Sequence, residues 1–212
     1  MGNVVSSETT HFPVVDRVET MDFLRCPPAW FHTRILVGPG EFLTPSFAIR
    51  NGITHVINCA FDIHCPEWWR SRYPYKYVCL NAMDSADHNI LDWYEEFETW
   101  MKSFLRQGNG VIYVHCQAGM NRSGFLALTY VCKNFNLRVD PTIALFRKQR
   151  PVLFQNQVYM NQVKDFINGR FQSAEDPGSV QHRDDIRYVG LCPPGGDPNP
   201  QRLDVDTGLP PE

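Results

Sequence analysis

Cys116 is the residue around which this sequence reads as chemistry. It follows an apolar run at 111–115 and leads into Gln117, Ala118, Gly119, Met120, Asn121, Arg122, Ser123 and Gly124, after which a helical pattern begins. A strand, a tight glycine-containing loop and a helix start together make an anion site. The loop N–H groups converge, and the helix N-terminus adds positive potential. The same field favours a thiolate over a thiol. Arg122 closes the loop six positions after the cysteine. Its planar fork can hold two phosphate oxygens at once, which a lysine cannot imitate. Ser123 can donate its hydroxyl to the thiolate, attacking or leaving. His115 can order the Cys116 backbone through its ring nitrogens. The chemistry implied is attack by sulfur on a bound phosphate ester, with a covalent intermediate.

A second His-Cys pair serves as an internal control. Cys65 follows His64 but is followed by Pro66, Glu67, Trp68 and Trp69, with no glycine, and Ser71 stands six residues on. It reads as structural. Arg147, Lys148 and Arg150 form a small basic cluster. Cations at a helix C-terminus complement the macrodipole, and a second phosphate contact near the cleft is the functional alternative. A leaving alkoxide or phenoxide also needs a proton, so a general acid must be present.

These residues need elements to position them. Residues 34–37 read as a strand closed by a turn at Gly38-Pro39-Gly40, and 42–50 as a helix stopped at Asn51-Gly52. Residues 54–59 and 77–81 read as strands, with a loop over 61–74 between them. Ile90, Tyr94, Phe97, Met101 and Phe104 recur at spacings of three and four, which predicts one apolar helical face. Residues 111–115 form a strand. Helical patterns follow through Leu126, Tyr130 and Val131, then over 141–148 and 158–167. Alternating strands and helices predict an α/β fold with a central, mostly parallel sheet flanked by helices.

At 212 residues the chain can hold one full domain plus tail, and 43% hydrophobic against 20% charged residues marks the bulk as globular. No stretch is apolar enough for a transmembrane span or a secretory h-region. Seven cysteines at irregular spacings, with no CxxC, suggest reduced thiols in a cytoplasmic compartment, most of them buried as small hydrophobes. No metal ligand set is legible. From 172 to 212 the chain holds seven prolines, five glycines and eight acids against three bases. That composition predicts a flexible acidic tail and leaves the remainder mildly basic. The expected organisation is an N-terminal arm over 1–26, a catalytic domain over 27–171 and the tail over 172–212.

The motif H-C-x-x-G-x-x-R-S at 115–123 resembles the signature loop of cysteine-based protein phosphatases. Arg34-Ile35-Leu36-Val37-Gly38, then Asn51-Gly52-Ile53-Thr54-His55-Val56-Ile57-Asn58, then Arg150-Pro151 with Asn156 and Gln162, are similar to the dual-specificity subgroup. The resemblance covers roughly 31–171. It implies a metal-independent, cofactor-free phosphatase acting on phosphotyrosine and on phosphoserine or phosphothreonine in proteins. It also implies a general-acid aspartate just after a strand, about thirty residues before the nucleophile. Asp84 matches that place best, with Asp87 as its rival; a helix cap or solvent contact suits Asp87 better.

Three alternatives stand beside this one. Asn121 before the arginine is shared with relatives that remove RNA 5′ phosphates, although Gln117-Ala118-Gly119 look more like protein-directed members and the slight basic excess is small for a nucleic-acid channel. A phosphoinositide substrate is disfavoured by the absence of lysine in the loop. A non-catalytic phosphoprotein-binding module would be expected to lack one of Cys116, Arg122 or Asp84. At the other end, Met1-Gly2-Asn3-Val4-Val5-Ser6 fits the pattern for N-myristoylation at Gly2. With a single acyl chain and no polybasic neighbour, membrane contact would be reversible.

Overall fold

The computed structural model describes residues 24–173. The arm through residue 23, the Gly2 site and the tail from 174 onward lie outside the described residues. The elements run in the order β1 (Ala29–His32), β2 (Ile35–Pro39), α1 (Pro45–Arg50), β3 (Ile53–Asn58), α2 (Glu67–Arg72), β4 (Tyr77–Cys79), α3 (Tyr94–Arg106), β5 (Val111–Cys116), α4 (Arg122–Asn134), α5 (Val139–Gln149) and α6 (Gln157–Ser173). The five strands form one sheet in the order β1-β2-β5-β3-β4. All neighbours are parallel except β1 and β2. The expected mostly parallel α/β sheet is what the chain adopts.

Strand alternation explains why helices cover both faces. Ile35, Val37, Ile57, Ile112 and Val114 point into the larger core, shared with Phe97, Met101 and Phe104 of α3 and Phe125, Leu126 and Leu128 of α4. Leu36, Val56, Tyr113 and Val111 point into a second cluster with Ala48 of α1 and Trp69 of α2. β5 lies in the middle of the sheet and is buried at all six positions. Its C-terminal end therefore delivers Cys116 from the buried centre of the sheet.

Several expected boundaries shift. The segment 61–74 is not a loop throughout: it holds a 3-10 turn at Asp62–His64 and then α2. A six-residue helix is too short for its period to show, and it is tertiary packing of Trp69, with Trp68 Nε1 donating to the Leu43 carbonyl at 2.9 Å, that holds it. β2 continues through Gly38 and Pro39, which pair with His115 and Cys116, so the turn begins at Gly40, two residues later than expected. α1 starts at Pro45, capped by Thr44, rather than at 42. The antiparallel edge strand β1 has no counterpart among the expected elements. Gln149 of α5 covers its outer edge, accepting from Trp30 N–H at 2.9 Å and donating to the Trp30 carbonyl at 3.1 Å. α6 runs through Ser173, two residues into the stretch assigned to the tail.

Candidate active site

Cys116 ends β5, and its side chain is buried, with the residue 1% exposed. The chain then turns through residues 117–121 and enters α4 at Arg122. Gly119 makes the turn possible, with φ +61°, and a Cβ there would fall 2.2 Å from the Gly38 carbonyl carbon. The Asn121 side chain does not cap α4. It accepts instead from the N–H groups of Gln155 and Asn156, both at 3.0 Å, so the loop is tied to the segment preceding α6 and the first amides of α4 are not capped by Asn121. The Met120 carbonyl accepts from Phe154 N–H at 2.9 Å.

Ser123 and His115 both lie in hydrogen-bonding distance of Cys116 atoms. Ser123 Oγ donates to Cys116 Sγ at 3.2 Å. His115 Nδ1 donates to the Cys116 carbonyl at 3.2 Å, and its Nε2 is buried with no hydrogen-bond partner. Burial pushes the His115 imidazole down to about 4, against the pull of that hydrogen bond, so the ring is neutral.

Arg122 is 5% exposed and donates from Nη1 to the Ala82 carbonyl at 3.1 Å. Its Nε lies 3.4 Å from Asp84 Oδ2, yet the Nε–H is not aligned with any acceptor. The pair is thus a charge contact, not a directed hydrogen bond, and the buried Nε–H has no hydrogen-bond partner. Asp84 is carried on the loop after β4. Tyr159 of α6 holds this loop: its hydroxyl accepts from Ser85 N–H at 3.0 Å and donates toward the carbonyls of Met83 at 2.8 Å and Ser85 at 3.1 Å. Asp87 is turned to Ser85, whose hydroxyl lies 3.3 Å from Asp87 Oδ2. Of the helix cap or solvent contact expected of Asp87, the cap is made by Asn89, which accepts from Leu91 N–H at 3.1 Å, and Asp87 is exposed to solvent. Gln162 ties this turn to α6 through Ile90 N–H and the His88 carbonyl.

The basic cluster separates into distinct roles. Arg147 donates to the carbonyls of Leu153 and Phe154. Arg150 is fully buried and donates to the carbonyls of Gly119 and Ala118. A second phosphate contact from Arg150 is excluded by that burial; it lies under the loop, not at its mouth. The sequence signal was present as an arginine between a helix end and a proline, but nothing local distinguishes a buried arginine from a solvated one. Among the other thiols, burial pushes Cys65 and Cys132 up to about 12 and Cys59 well above the ordinary thiol range. Cys65, the control, is buried and unpaired to any other cysteine. Cys192 lies outside the described residues.

The comparisons with known proteins fit this geometry. Residues 37–168 match the family described as dual specificity phosphatase, catalytic domain. This chain belongs to that family. It is 29% identical over 115 residues to dual specificity protein phosphatase 1 of Homo sapiens, covering 54% of this chain and 30% of that protein. The chain thus spans less than a third of the length of that relative. Among solved structures, human tyrosine phosphatase-like serine/threonine/tyrosine-interacting protein superposes with a TM-score of 0.60 at 20% identity, covering 69% of this chain and 99% of that one. Human DUSP28 does so with a TM-score of 0.59 at 17% identity, covering 68% and 95%. At these identities the superpositions speak for the fold alone.

Proposed function

We propose that this protein is a metal-independent, cysteine-dependent protein phosphatase acting on phosphotyrosine and on phosphoserine or phosphothreonine. The observation that carries the reading is the convergence of Arg122 with Asp84 at 3.4 Å, beside a loop whose first residue, Cys116, accepts a hydrogen bond from Ser123. In the first step Cys116 Sγ attacks phosphorus, the S–P bond forms, and the P–O bond to the substrate breaks. Loop amides and Arg122 hold the equatorial oxygens, where charge must be stabilised. Asp84 gives its proton to the leaving oxygen. In the second step Asp84 takes a proton from water, which attacks phosphorus and releases inorganic phosphate and the Cys116 thiolate. Ser123 donates to that departing sulfur.

Family membership, Asp84, Cys116 and Arg122 all support turnover over mere phosphoprotein binding. Asn121, which lent weight to an RNA substrate, is accounted for by its anchoring of residues 155 and 156. A panel of phosphotyrosine, phosphothreonine, RNA 5′-triphosphate and phosphoinositide substrates, compared by kcat/KM, tests the assignment. Phosphopeptides should lead by at least tenfold; a leading RNA triphosphate overturns it.

The protein is further proposed to be cytoplasmic and to touch membranes reversibly through myristoyl-Gly2. The first six residues support this, and one acyl chain gives marginal affinity. Among the described residues no helix is long and apolar enough to cross a membrane. Coexpression with an N-myristoyltransferase should add one acyl mass and weak vesicle binding, both lost in Gly2→Ala. An unmodified Gly2 in eukaryotic cells refutes it.

A further inference from the structure

We infer that Arg150 is a positioning residue for the phosphate loop, fixing by its grip on two carbonyls the direction in which the loop N–H groups point. The inference rests on the phosphatase reading of that loop. Arg150 is 0% exposed and heads the fully buried side chains by volume. Its Nε donates to the Gly119 carbonyl at 2.9 Å and its Nη2 to the Ala118 carbonyl at 2.8 Å. A trans peptide is planar, so a carbonyl and the N–H that follows it point in opposite directions. Drawing the carbonyls of Ala118 and Gly119 toward Arg150 turns the N–H groups of Gly119 and Met120 the other way. The left-handed backbone at Gly119 and its close approach to Gly38 leave the loop little room to satisfy those carbonyls differently.

The same guanidinium also donates from Nη1 to the carbonyls of Cys26 and Pro27. One side chain therefore joins the chain entering β1 to the floor of the loop. Only a planar fork with several donors spans this set. A lysine ammonium is a compact point charge and cannot hold Ala118 and Gly119 in the same way.

The test compares wild type with Arg150→Lys, Arg150→Met and, as a control, Arg147→Lys, which removes a similar clamp from Leu153 and Phe154. Thermal melting is read first, then kcat on a small soluble aryl phosphate, then the affinity for inorganic vanadate. Arg150→Met is expected to lose folded protein, and Arg150→Lys keeps the charge and most of the volume. A misplacement of about 1 Å in a catalytic constellation can cost on the order of 10²-fold. Folded Arg150→Lys should lose on that order in kcat and weaken vanadate by at least tenfold, with a smaller change in KM. Arg147→Lys should change neither by a comparable factor. Wild-type kcat and vanadate affinity in folded Arg150→Lys, or an equal loss in Arg147→Lys, overturns the inference. Vanadate binding is read without turnover, so the inference is decided even if the wild type hydrolyses no phosphoester and the phosphatase reading itself fails.

Discussion

Arg122 Nε lies 3.4 Å from Asp84 Oδ2, across the gap between the start of α4 and the loop after β4. Asp84 is therefore within reach of whatever Arg122 binds. Asp87, by contrast, is engaged with Ser85. General acid catalysis contributes about 10²–10⁴-fold. Asp84→Asn should cut kcat by about that factor on phosphotyrosine, and by much less when the leaving group needs little protonation. It should also remove the basic limb of the pH–kcat profile, which reports the acid that must stay protonated. Asp87→Asn should keep that limb. The reverse pattern in the two variants reassigns the acid.

The Ser123 hydroxyl donates to Cys116 Sγ at 3.2 Å. Hydrogen bonds to charged groups are worth about 1.5–3 kcal/mol, or roughly 10- to 100-fold in rate. Ser123→Ala should slow breakdown of the phosphocysteine by that much while formation is less affected. Rapid-quench kinetics should then show a burst of product followed by a slow steady state. A uniform loss with no burst contradicts this role.

Tyr159 acts at a distance from the reacting atoms, through Met83 and Ser85 on either side of Asp84. Tyr159→Phe should lower kcat on phosphotyrosine several-fold, by loosening the acid loop. The loss should shrink for a good leaving group, and Cys116 alkylation by iodoacetamide should be unchanged. Equal losses on both substrates show that the hydroxyl supports the fold and not the acid.

Some of this was legible in the residues and some was not. The loop from Cys116 to Ser123 was, because its chemistry is local: strand, glycine, arginine and helix start occupy consecutive positions. The face made by Ile90, Tyr94, Phe97, Met101 and Phe104 was too, since all five are buried. Tyr159 and Arg150 were not, because each acts on backbone far away in sequence, 74 and 76 residues for Tyr159 and 31 and 32 for Arg150. β1 and α2 were missed for a related reason. Each is four to six residues long and is held by tertiary partners, Gln149 for one and the second core for the other.

His115 makes stability depend on pH. Its imidazole is held at about 4 by burial, whereas an unfolded histidine titrates near 6.5. Below about 6.5 the unfolded chain takes up a proton that the folded chain refuses, so stability is full above that pH and falls as pH drops toward 4. The loss from this group reaches about 3 kcal/mol. His55, also lowered by burial, acts in the same direction. Urea unfolding of His115→Asn between pH 7 and 4 should give a shallower slope than wild type. An unchanged slope removes His115 as its source.

The central claim is that sulfur of Cys116 carries the phosphoryl group. The measurement is acid-quench trapping with a radiolabelled phosphotyrosine peptide, with the label located by peptide mapping in wild type and in Cys116→Ser. The account predicts label on the peptide containing Cys116 in wild type, unaffected by EDTA and suppressed by vanadate. In Cys116→Ser it predicts no label and no turnover, with phosphopeptide still bound by the loop amides and Arg122. Label at another residue, turnover by Cys116→Ser, or activity lost on EDTA treatment contradicts it.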